Sequence, residues 1–152
     1  MTLSPSSERR LAGVHPDLVR VVRRAAEMSG ALDFIVTEGL RTLERQTQLV
    51  AQGASRTMHS RHLTGHAVDL AVLSQGEVSW SWPAYQQLAA LMFDAAAVEK
   101  VPVEWGGQAF GPGFRDGPHF QLPHDSYPDL GPAKPDQQVM ASAPAAGEPP
   151  QA

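Results

Sequence analysis

Between residues 16 and 28 the apolar side chains recur every three or four positions. Leu18, Val21, Val22, Ala25, Ala26 and Met28 fall on one side, and Arg20, Arg23, Arg24 and Glu27 on the other. This period predicts a helix packed on a core, with Pro16 in its first turn and Asp17 near its positive end. His15 is expected in the turn that leads in, behind a polar start. Residues 33–37 (DFIVT) are aromatic and β-branched and predict a strand that delivers Glu38, Gly39, Leu40 and Arg41 at its end. The helical period returns over residues 42–52, with Leu43, Gln46, Leu49 and Val50 on one side and Gly53 as its stop. Residues 54–61 read as a loop. Residues 67–73 and 78–80 predict two strands joined by a turn. Trp82 and Pro83 open a long helix to about Val98, with Leu88, Leu91, Met92 and Ala95 as its buried stripe. A short strand at 101–105, a glycine-rich loop at 106–113 and a closing strand at 118–122 complete the pattern.

One position breaks the apolar run at 67–73. An ionised carboxylate taken out of water costs several kcal/mol unless a cation or hydrogen bonds compensate it. Asp69 therefore asks for a partner, and a metal ion shared with neutral imidazoles is the most economical one. A catalytic zinc site has three ligands from His, Asp, Glu or Cys and leaves a fourth position to water; His62, Asp69 and His119 fill that description. The rival pairing is His62 with His66, four apart as on a zinc-binding helix. That helical peptidase motif needs Glu directly after its first His, whereas Leu63 stands here and Gly65 weakens the helix. His59 and His124 are expected outside the site.

The 152 residues suit one domain, with enough apolar side chains for a single core. The chain has no cysteine, which excludes disulfides, thiolate metal ligands and a cysteine nucleophile. Arg9 and Arg10 are not followed by an apolar stretch, so no secretory signal is expected, and no run is long enough to span a membrane. Synthesis as a soluble cytoplasmic product is the expectation. The net charge of -4 covers a mildly basic stretch up to Arg61. Solvated helix faces account for it, and it assigns no polyanionic partner. Residues 133–152 are rich in Pro and Ala, with Val139 and Met140 as the sizeable apolar side chains. Such a tail cannot offset its ordering entropy and is expected to be disordered, leaving residues 1–132 as the domain.

Two motifs carry a resemblance. Ser-X-His-X-X-Gly-X-Ala-X-Asp is met by residues 60–69, and Asp/Glu-X-X-His is met by residues 116–119. This pair resembles the zinc D-Ala-D-Ala carboxypeptidase and L-Ala-D-Glu endopeptidase family, which includes vancomycin-resistance dipeptidases and phage peptidase endolysins. Segments 37–46 and 104–107 follow the family in the same order, and the likeness covers about residues 13 to 123. It implies an α+β fold of the hedgehog/D-Ala-D-Ala peptidase type, in which a small antiparallel sheet carries zinc on one face and helices cover the other.

The resemblance also implies roles. His62, Asp69 and His119 would hold Zn2+, and Asp116 would be the general base that later acts as acid, with Glu104 as the second candidate. Arg41 would stabilise the oxyanion, and Gln46 would support that arginine or bind substrate. Ser60 would contact substrate, or cap the loop. Many family members have Glu where this chain has the shorter Asp116, which leaves the reach of the base open. The implied function is hydrolysis of the L-alanyl-D-glutamate bond in peptidoglycan stem peptides by a phage endolysin that reaches the wall through a holin. The alternatives are a D-Ala-D-Ala carboxypeptidase or dipeptidase, and a catalytically silent zinc domain that binds peptidoglycan. The stem peptide is the expected partner of a monomer, without nucleic acid or stable membrane association.

Overall fold

Side chains alternate across a strand, and in the central strand that alternation separates a greasy face from a chemical one. The structure is a computed structural model that describes residues 1–55, 59–109 and 115–128. Strand β1 (Asp33–Glu38) pairs antiparallel with β2 (Ala67–Ser74). On the other edge of β2, β3 (Glu77–Ser79) pairs with its last residues and β5 (His119–Gln121) with its first, and β4 (Glu104–Trp105) lies outside β5. The order is β1-β2-β5-β4, with β3 beside β2.

Val68, Leu70 and Val72 point to one face together with Phe34, Val36 and Phe120, all at most 3% exposed. Helices α2 (Pro16–Glu27) and α4 (Trp82–Glu99) cover that face through Leu18, Val21 and Val22 and through Leu88 and Met92, and all of these belong to one core. Asp69 and His119, directly opposite each other in register, project from the other face. The expected α+β arrangement is thus the observed one. Both long helices follow their periods, except that α2 ends one residue earlier than the stripe. Met28 caps it and stays exposed.

Three local expectations are corrected. Helix α1 (Pro5–Arg10) occupies the polar start. It has no apolar stripe, yet Ser4 caps it and Pro5 sits in its first turn. Its Ser7 hydroxyl accepts from the Val36 amide (3.0 Å) and Arg10 reaches the Val36 carbonyl (3.4 Å), so α1 covers the outer edge of β1. Helix α3 (Leu43–Ala51) forms as predicted but does not bury its apolar side. Leu43 is exposed, Leu49 and Val50 are half-buried, and Gln46 is the residue turned fully inward. The glycine-rich loop begins as one helical turn, α5 (Gly106–Ala109). Residues 110–114 and the tail at 133–152 lie outside the described residues. No helix among the described residues is long and apolar enough to cross a membrane.

Candidate metal centre

A short 3-10 turn, Arg61–Thr64, brings the first histidine to the sheet. Ser60 caps it by accepting from the His62 amide (3.1 Å), and Gly65 ends it at φ +80°, a left-handed conformation suited to glycine. A side chain at Gly65 would also strike the Gly13 carbonyl. The turn sets His62 beneath Gly39, whose carbonyl accepts from Nδ1 (2.8 Å), so the other ring nitrogen, Nε2, faces Asp69 Oδ1 at 3.1 Å. From β5, His119 Nδ1 lies 3.3 Å from the same oxygen, and its Nε2 donates to Gln121 Oε1 (2.8 Å).

One ligand atom from each of the three residues lies within 4.8 Å of the other two. Two imidazole nitrogens and one carboxylate oxygen, each ring oriented by a hydrogen bond on its far side, are a donor set that fits a divalent ion such as zinc. The electrostatics agree with a centre built for positive charge. Burial pushes the Asp69 carboxyl up, but the charges and hydrogen bonds of His62 and His119 outweigh it and hold the group well below the usual carboxylate range. Burial pulls His119 down, yet Asp69 overrides it and leaves the ring raised. Protons and a metal ion compete for the same atoms here.

Arg41 flanks the cluster. Its Nε and Nη2 donate to the two carboxylate oxygens of Glu38 (2.8 Å each), Nη1 donates to Gln46 Oε1 (2.7 Å), and Nη2 stands 3.7 Å from Asp69 Oδ2. Glu38 reaches this place because the register shifts between Val36 and Glu38, which sets it opposite Asp69. Gln46, fully buried, passes its amide on to Ser55 (2.8 Å). On the other side Asp116 begins the turn into β5. Its amide donates to the Gly106 carbonyl (3.0 Å) and its carbonyl accepts from the His119 amide (3.2 Å). Gly106 permits this approach, since a Cβ there would lie 2.5 Å from the Asp116 carbonyl oxygen. Burial first, and the charge of Asp69 second, raise the Asp116 carboxyl above its ordinary value.

The structure therefore gathers His62, Asp69 and His119, with Arg41 and Asp116 beside them. His66 is not part of the cluster: beyond Gly65 its ring turns toward His15 and Tyr127 and bonds the Thr64 hydroxyl (2.6 Å). His15 caps α2 by accepting from the Asp17 amide (3.0 Å). His59, His124 and Arg45 are exposed. Glu104 accepts from the Gln121 amide (3.0 Å). Trp80 is exposed, and Trp82 stacks on Trp105. Sequence reasoning placed Glu38 at the end of its strand without giving it a role, and passed over Gln121. Gln121 had a signal, because two residues along a strand from His119 is the same face.

Residues 1–122 match the family described as phage L-alanyl-D-glutamate peptidase. The L-alanyl-D-glutamate peptidase of Escherichia phage T5 is 39% identical over 79 residues, half of this chain and 57% of that protein. Its namesake from Listeria phage A118 is 37% identical over 99 residues, 65% of this chain and 34% of that protein. The matched stretches thus span little more than half of the one relative and a third of the other. Among solved structures, the Serratia marcescens L-Ala D-Glu endopeptidase ChiX superposes with a TM-score of 0.77 at 47% identity, covering 85% of this chain and 95% of that one.

Proposed function

The chain belongs to the phage L-alanyl-D-glutamate peptidase family, and from that premise we propose that it is a zinc peptidase that cuts the L-alanyl-D-glutamate bond of peptidoglycan stem peptides. The observation that carries this reading is the convergence of His62, Asp69 and His119, whose ligand atoms, one from each residue, lie within 4.8 Å of one another. These three residues would hold the ion. Bound there, zinc supplies a Lewis acid that polarises the scissile carbonyl and acidifies water.

Asp116 is the base in this reading. Its raised proton affinity suits taking a proton from the attacking water and handing it to the leaving amine. Arg41, aimed by Glu38 and Gln46, keeps a cationic N–H on the Asp69 side of the site, where negative charge develops on the carbonyl oxygen. Ser60 and Gln46, expected to touch substrate, are read here as positioning residues, because both are buried and engaged with the His62 amide and with Arg41. Glu104 is read as a support for Gln121 rather than as the base. The enzyme works as an endolysin on the cell wall, released through a holin, as a monomer whose domain ends near residue 132.

Substitution separates ion from base. Asp116→Asn should still bind one equivalent of zinc while hydrolysis of purified peptidoglycan falls about 100- to 10,000-fold, the range of a lost proton-transfer group. His62→Ala should lose both. Near-wild-type hydrolysis by Asp116→Asn would remove Asp116 from its role.

A further inference from the structure

Gln121 is buried between two groups whose hydrogen-bonding capacity is one-sided. Its Oε1 accepts from His119 Nε2 at 2.8 Å, and its Nε2 donates to Glu104 Oε1 at 3.0 Å. The sheet sets this order: Glu104 stands opposite Gln121, and His119 lies two residues before Gln121 on the same face of β5. A carboxylate can only accept, so the NH2 side of the Gln121 amide must face Glu104. Its oxygen is then left for His119, and an amide oxygen can only accept too. The neutral His119 ring, the form that can bind a metal, therefore keeps its proton on Nε2 and leaves Nδ1, on the Asp69 side, as the atom that can give its lone pair to an ion.

We propose that Glu104 and Gln121 form a positioning relay that fixes the tautomer and ring orientation of His119 and thereby the affinity of the centre for its metal. The inference rests on the reading of His62, Asp69 and His119 as metal ligands. His62 needs no such relay, since the main-chain carbonyl of Gly39 does the same for it. With a flipped amide, an NH2 would face His119, the proton would move to Nδ1, and the lone pair would point away from Asp69. Glu104 opposes that flip because it would set two oxygens against each other.

The test is competition for Zn2+ between the metal-free full chain and a chromogenic chelator, with folding followed by circular dichroism. Gln121→Leu, which fills the space but accepts nothing, should weaken zinc binding about 10- to 100-fold. Glu104→Ala should weaken it less, and adding it to Gln121→Leu should cost nothing more, because Glu104 acts through Gln121. The exchange E104Q/Q121E again gives His119 an acceptor held by an amide, and should return affinity close to wild type. Wild-type affinity in Gln121→Leu, or no recovery in a folded exchange variant, would overturn the relay. If Gln121→Leu does not fold, Glu104→Ala and the exchange variant still carry the comparison. A wild-type chain that binds no zinc would instead overturn the metal-centre reading itself.

Discussion

At Asp69 the demands of the strand and of the site coincide. The residue must continue β2 between Glu38 and His119, and it must keep a charge where Val68 and Leu70 are wholly buried. That conflict was legible in the sequence, because a lone carboxylate in an apolar run has few stable explanations. Arg61 is the opposite case. It is fully buried, with Nη2 donating to the carbonyls of Leu122 (3.0 Å) and Tyr127 (2.8 Å). Replacing it with Met should lower stability by about 3 kcal/mol, since two charged hydrogen bonds to main-chain carbonyls, that to Leu122 buried, are lost. Equilibrium unfolding in denaturant measures this, and an unchanged midpoint would show that Arg61 is dispensable. Nothing local marked Arg61, because its acceptors come from a segment some sixty residues away.

Elements differed in legibility for a physical reason. Strands β1 and β2 and helices α2 and α4 bury an apolar face, and periodicity reports that burial. Helix α1 is held by capping and by Ser7 and Arg10 on a strand edge, and α3 turns Gln46 inward to meet Arg41. Neither leaves an apolar period. The 3-10 turn is the element on which the site depends, because it aims His62. Gly65→Ala would force a side chain into a left-handed conformation at a cost of about 1 to 3 kcal/mol, besides the collision with Gly13. The turn should shift, so zinc affinity should fall along with the melting temperature. A variant that melts early yet binds zinc as tightly as wild type would show that the turn does not aim His62.

For the whole molecule, pH enters through His66 as well as through the centre. Burial, reinforced by the charge of Arg61, lowers His66 from 6.5 to about 3. The unfolded chain therefore takes up this proton first as pH falls. The stability contributed by a neutral His66 is complete above 6.5 and is lost progressively toward pH 3. Unfolding free energy should drop across that window, and His66→Gln should flatten the slope; an unaltered slope would place the acid sensitivity elsewhere. The central claim is tested most directly by mass spectrometry of fragments released from purified peptidoglycan by zinc-loaded and chelator-treated protein. Metal-dependent fragments with a new D-glutamate amino terminus are the predicted result. Release of D-alanine alone, or no release with zinc still bound at one equivalent, would contradict it.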